Sequence, residues 1–253
     1  MLLKDRTAVI YGGGGSIGGA VARAYANEGA HVFLAGRTPE PLERVASDID
    51  SDGGRVETAV VDALDEGAVD AHADDVVART GSIDISFNLI SHNVVQGTPL
   101  AELALADFEQ PVVTALRTNF LTTRAAARQM IRQRSGVLLF FGGYGDPLLG
   151  SSLGGLQVGL QALDTLRRQL AGELGGYGIR ALTLQTAGIL EAIPPGVDTA
   201  WRKTIVEETE ARTMLKRAAS LADVANVAVF AASDHARSLT GTALNITCGA
   251  QAD

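Results

Sequence analysis

The chain has 253 residues, 46% of them hydrophobic, which suits one large core better than two small ones. Charged residues make up 20% and the net charge is -8 with no basic run, so the surface repels polyanions and nucleic acid is not expected as a partner. The single Cys248 cannot form an internal disulfide and reads as a small, partly buried hydrophobe, which fits a reducing compartment.

The N-terminus passes from Met1-Leu2-Leu3-Lys4-Asp5-Arg6 straight into a strand-like run, without the apolar region of a signal peptide. No apolar stretch is long enough for a membrane span, and a cytoplasmic protein is the expectation. Strand-like runs follow at 7–11, 31–36, 55–61, 83–90, 136–142, 178–185 and 243–246. Between them, apolar residues recur at helical spacing over 16–28, 39–51, 66–80, 105–133, 153–174 and 221–232. Alternation of this kind predicts a Rossmann-type doubly wound α/β domain, a single domain on a parallel sheet of about seven strands. One segment breaks the rhythm: 187–219 contains Pro194-Pro195-Gly196 and a charged run, and is too long for a simple connection. Because it follows a strand end, where ligands sit in such sheets, it reads as a lid over the site; a solvated helix pair used in packing is the alternative.

The first strand runs into Gly12-Gly13-Gly14-Gly15-Ser16-Ile17-Gly18-Gly19, in which Gly13, Gly15 and Gly18 satisfy G-x-G-x-x-G between a strand and a helix. Glycines let the chain turn tightly and let backbone N–H groups approach a pyrophosphate, while the helix N-terminus favours its charge. Gly12, Gly14, Gly15, Ser16, Ile17 and Gly18 are therefore candidate cofactor-binding residues; a purely structural turn is the alternative. The second strand ends in Ala35-Gly36-Arg37-Thr38, with no acid to meet the ribose 2′-hydroxyl of NAD. Arg37 can pair with a 2′-phosphate and Thr38 can add a hydroxyl, which favours NADP(H), unless Arg37 is only an exposed arginine opening a helix.

With these residues in place, the chain resembles the short-chain dehydrogenase/reductase family over nearly its whole length. The turn is similar to that family's T-G-x-x-x-G-x-G, with Tyr11 for Thr, Gly12 and Gly18 kept, and Ser16 for the middle Gly. The resemblance makes Asp62, with Ala63, the residues that meet the adenine, places Asn88 at the start of the N-N-A-G motif, and matches Asn119 to the helix asparagine of the catalytic tetrad. Ala222-Asp223-Val224-Ala225, Ala231-Ala232-Ser233-Asp234, Thr240-Gly241 and Gly249 resemble its C-terminal region.

The family moves a hydride between nicotinamide and a carbonyl or alcohol, with a Tyr activated by a Lys four residues later as proton partner. Here Leu156 aligns with the Tyr, Leu160 with the Lys and Gly143 with the usual Ser, and the only lysines, Lys4, Lys203 and Lys216, follow no tyrosine at that spacing. The usual P-G after the sixth strand becomes Ala187-Gly188, with Gly188 retained as a cofactor contact, and Ala192 aligns with the threonine that meets the carboxamide. Asn119, Tyr144 and His92 are the candidate catalytic residues; Tyr144 can equally be a ring packed under the lid and His92 a polar loop residue. No metal ligands are assigned. Two functions remain open at this point: an NADP(H)-dependent reductase of activated alkenes, imines or carbonyls with a displaced or absent acid/base, or a non-redox protein of the same fold, either an NADP(H)-binding sensor or scaffold, or a cyclase or isomerase using the apolar pocket. The resemblance also implies a small, apolar substrate and a homodimer or homotetramer built on helices 105–133 and 153–174.

Overall fold

The computed structural model describes residues 1–143, 152–193 and 199–252. Its strands are β1 (Thr7–Tyr11), β2 (His31–Gly36), β3 (Arg55–Val60), β4 (Ile85–Asn88), β5 (Gly136–Gly143), β6 (Ile179–Thr186) and β7 (Thr242–Asn245). Its helices are α1 (Ser16–Asn27), α2 (Pro39–Ser51), α3 (Glu66–Thr80), α4 (Leu105–Gln133), α5 (Gly155–Leu174), α6 (Thr199–Arg212) and α7 (Leu221–Ala232). The strands form one parallel sheet in the order β3-β2-β1-β4-β5-β6-β7. The order reverses between β1 and β4, and the crevice beyond their C-terminal ends is where such sheets bind ligands.

Alternation along each strand divides the core. Ala8, Ile10, Val32, Leu34, Leu182 and Leu184 meet α1 and α7 on one face. Val9, Tyr11, Phe33, Leu138, Phe140 and Ala181 meet α3, α4 and α5 on the other. Both faces are covered, so β1, β2 and β5 are apolar along most of their length rather than alternating with polar residues.

Helix ends follow local chemistry. The Asp65 carboxylate caps α3 by accepting from Ala68 N at 3.0 Å, and the helix stops on Gly81 at φ +84°. In α7 a capping box joins Ser220 and Asp223, and Arg217 with the Ser220 bonds holds the Asp223 carboxyl well below the usual carboxylate range. The contact between α4 and α5 rests on glycine: a Cβ on Gly155 would lie 2.0 Å from the Phe108 carbonyl oxygen, and one on Gly159 would touch Ala115 and Val112 at 3.5 Å. The two helices meet there backbone to backbone.

Two expected spans shorten by two residues or more: strand 83–90 is confined to Ile85–Asn88, and helix 153–174 begins at Gly155; 16–28 and 55–61 each lose one residue, ending at Asn27 and Val60. Within 187–219 the charged run forms α6, preceded by a 3-10 turn at Leu190–Ala192. The two ends of this insertion meet, because the Glu191 carboxylate accepts from Leu221 N at 2.8 Å at the start of α7.

Among the buried polar groups without a partner, His72 bears directly on stability. His72 lies on the buried face of α3 with its ring edge to Tyr11, centroids 5.9 Å apart, and neither ring nitrogen has a hydrogen-bond partner. Burial depresses its pKa despite the opposing pull of Asp75. The imidazole is therefore neutral in the fold, whereas the unfolded chain takes up a proton near pH 6.5, so stability falls as the pH drops below that value. His72→Leu should raise stability by about 1 kcal/mol, because two orphaned polar atoms are replaced by an apolar group of similar size. It should also reduce the loss of stability between neutral and mildly acid pH. Urea unfolding of both proteins across that range checks this, and a less stable variant with the same pH dependence would contradict it.

Candidate nucleotide-binding and active site

A cavity of about 430 Å³ opens beyond the C-terminal ends of β1, β2 and β4. The turn after β1 forms its rear wall. Gly12 N and Gly13 N donate to the Ala35 carbonyl oxygen at 2.8 and 3.3 Å, which ties the turn to the end of β2. Gly12 adopts φ +79°, and a Cβ there would lie 2.6 Å from the Leu89 oxygen; a Cβ on Gly18 would lie 2.2 Å from the Gly12 oxygen. Both positions exclude any side chain. The first helical bond of α1 runs from Gly19 N to Gly15 O at 2.7 Å, so the N–H groups of Ser16, Ile17 and Gly18 precede it, and no side chain caps the helix. Such an uncapped N-terminus attracts an anion. A dinucleotide pyrophosphate suits this cradle: the uncapped N–H groups offer donors to its charge, and the absence of side chains at Gly12 and Gly18 lets the backbone close tightly around the turn.

Gly14, Gly15, Arg37, Thr38, Asp62 and Ala63 line the cavity together with Gly12. Arg37 is exposed and has no ion-pair partner among the described residues, leaving its guanidinium available to a ligand. One Asp62 oxygen accepts from Leu64 N at 3.0 Å, which shapes the loop after β3 and leaves the other oxygen at the rim. Ser16, Ile17 and Gly18 form the first turn of α1 next to the cavity-lining Gly14 and Gly15 and do not themselves line the cavity; Ser16 is exposed.

On its α4 side the opposite wall is built from residues that no sequence motif singled out. Tyr11 forms part of the floor, and burial together with Asp70 raises its phenol pKa far above the ordinary value, so it remains a hydroxyl. Gln110, Thr114 and Thr118 on α4 complete the wall with Leu89, Ile90 and Ser91. Their four-residue spacing was the available signal. With its amide turned so that the nitrogen faces them, Gln110 donates to the carbonyl oxygens of His92 and Asn93 at 2.8 Å each and accepts from Thr114 Oγ1 at 3.2 Å, which ties the loop after β4 to α4.

The remaining candidates lie around this cavity without lining it. Asn88 is buried and spends its amide internally, donating to Thr122 Oγ1 at 3.3 Å and accepting from Ile90 N at 3.1 Å. Asn119 is buried on α4, where Nδ2 donates to the Ala115 oxygen at 2.9 Å and Oδ1 has no partner. His92 is half-buried, and burial lowers its pKa, which keeps it neutral at neutral pH. Gly188 follows β6 at φ +113° with open space around it. Gly143 ends β5, and a Cβ there would meet Leu160 Cδ1 at 3.2 Å; Leu156 and Leu160 are half-buried one turn apart on α5. Tyr144 and residues 194–198 lie outside the described residues. Among the described residues, no group of three His, Cys, Asp or Glu side chains could hold a metal ion, and no helix is long and apolar enough to cross a membrane.

A family model described as enoyl-(acyl carrier protein) reductase matches residues 13–251. The chain is 31% identical to momilactone A synthase of Oryza sativa subsp. japonica, covering 98% of this chain and 90% of that one. It is 28% identical to D-threitol dehydrogenase of Mycolicibacterium smegmatis, covering 98% and 93% respectively. In fold it superposes with a TM-score of 0.90 on a short-chain type dehydrogenase/reductase from Mycobacterium ulcerans, at 24% identity and covering 99% of this chain and 91% of that one. The chain therefore belongs to the short-chain dehydrogenase/reductase family and is an oxidoreductase of that type, with a nicotinamide cofactor as the family's redox partner.

Proposed function

We propose that this protein is an NADP(H)-dependent reductase whose proton-transfer groups differ from those usual in its family. The observation that carries this reading is the unpaired Arg37 on the rim of a glycine-walled cavity, with Thr38 beside it and no acid at the end of β2. In this reading Arg37 pairs with the 2′-phosphate, the N–H groups of Ser16, Ile17 and Gly18 with Gly14 and Gly15 hold the pyrophosphate, and Asp62 and Ala63 bound the adenine. Gly188 borders the nicotinamide end. When bound, NADPH supplies a hydride to an electrophilic carbon.

The chain's own contribution at that carbon is mainly apolar. Leu156 and Leu160 stand where the family's Tyr and Lys align, and Gly143 where its Ser aligns, so this wall excludes water but donates no proton. Substrates that need little proton assistance suit it: activated alkenes, imines and polarised carbonyls on small, apolar molecules. Asn119, Tyr144 and His92 are the groups placed to supply a proton or a polar contact. Residues 187–219 act as a lid; the Glu191 to Leu221 bond closes the base of this segment, and Lys203–Arg212 buries no side chain fully. Exposed Val113 and Phe120 on α4 and Val158 on α5 support a homodimer or homotetramer.

Calorimetric titration with NADPH, NADP⁺ and NADH tests the cofactor, with NADPH expected to bind most tightly. No NADPH binding at millimolar concentration would overturn the reading. NADPH oxidation followed across carbonyls, imines and enones then tests the chemistry. Tight binding without turnover on any of them would leave the non-redox alternative, which the relatives do not favour.

A further inference from the structure

A second hollow, of about 160 Å³, lies between α5 and the β5–β6–β7 side of the sheet. Gly143 and Leu160 form one wall, and Thr183, Asp164 and Arg167 line it farther along α5. Arg167 sits in the row of α5 that buries Leu163 and Leu174, yet it is only 3% exposed and charged. Its Nη2 donates to Asp164, while Nε and Nη1 have no partner. Thr183, 7% exposed on β6, also has an unpartnered hydroxyl. An apolar side chain at 167 would cost less than a buried guanidinium with unmet donors, so packing does not account for this arginine.

We propose that this hollow is a binding site for a small carboxylate. A carboxylate matches a guanidinium edge in planar, forked geometry, and the Thr183 hydroxyl can donate to its second oxygen. The charge balance agrees. Asp164 is shared by Arg167 and by Arg168, whose Nη1 lies 3.4 Å away, leaving one net positive charge for a monoanion. The size of the hollow admits an acid of a few carbons, whose apolar part would lie toward Leu160 and Gly143. The carboxylate is either the terminal group of a substrate or a free small acid. The site stands independently of the NADP(H) reading.

Calorimetric titration of the full chain with acetate and butyrate at constant ionic strength, against chloride and the neutral isostere acetamide, tests it. Both acids should bind and both controls should not. Arg167→Met should abolish binding, and Thr183→Val, nearly isosteric, should weaken it severalfold. Asp164→Asn, which removes the internal competitor for the guanidinium, should tighten it by about tenfold. The opposite signs of the last two variants keep the test decisive even if Arg167→Met does not fold. Absence of acetate binding, or acetate affinity unchanged in both Thr183→Val and Asp164→Asn, overturns the proposal. If the carboxylate belongs to a substrate, acetate competes with NADPH-dependent reduction of an oxo acid and Asp164→Asn lowers its KM; if it is a free acid, acetate binds without altering that KM.

Discussion

Replacing Gly18 by alanine should cost about 2–3 kcal/mol of stability and lower NADPH affinity at least about a hundredfold. The new Cβ would lie 2.2 Å from the Gly12 carbonyl oxygen, a distance at which α1 or the turn must move. Alanine is the better helix former by about 1 kcal/mol, but that gain is smaller than the overlap penalty. The displacement would also pull the first-turn N–H groups away from the pyrophosphate position. Gly172→Ala provides the matched control. It lies exposed within α5 with open space around it, so the same change there should raise stability by roughly 0.5–1 kcal/mol and leave binding alone. Urea unfolding and NADPH titration of both variants read the difference. A Gly18→Ala protein that binds NADPH like the parent would show that the turn does not hold the cofactor.

Arg37→Ala should weaken NADPH binding about thirtyfold to a hundredfold and leave NADH binding nearly unchanged. Charge-assisted bonds to a phosphate contribute about 1.5–3 kcal/mol, and the neutral ribose of NADH has nothing for the guanidinium to neutralise. Stability should not change, because Arg37 is exposed and unpaired among the described residues. The selectivity is the informative quantity. Equal losses for both nucleotides would mean that Arg37 shapes the loop rather than reading the phosphate, and would remove the main support for NADP(H).

Where local chemistry dictates conformation, the sequence was a good guide. The span 39–51 is found as Pro39–Ser51 because proline at the first helical position fixes the start, and 66–80 as Glu66–Thr80 because Asp65 and Gly81 close both ends. The glycine turn was readable for a similar reason, since steric exclusion leaves its mark as missing side chains. Helix α6 was harder to see. Ile205 and Val206 are only half-buried, so its apolar periodicity is faint against the charged residues around them. Gln110, Thr114 and Thr118 belong to no motif of their own, and only the sheet order, which brings α4 up to the end of β1, turns their side of the helix toward the cavity. Arg167 was hidden in the same way beside Arg168: one of the pair is buried and the other exposed, a distinction that neighbouring identical residues cannot reveal.

The glycine contact between α4 and α5 bears on how this active site can change over time. Gly155 and Gly159 fix the approach of α5 to α4 through backbone contact with Phe108 and Val112, so the placement of α5 does not rest on residues 156 and 160 alone. On the proposed reading, substitutions at those two positions would change the wall of the site while this glycine contact stays in place. A descendant of a tyrosine- and lysine-bearing ancestor that acquired leucines there would keep the same approach of the two helices. The reverse route is open on the same terms, which makes this pair of positions a natural starting point for directed evolution.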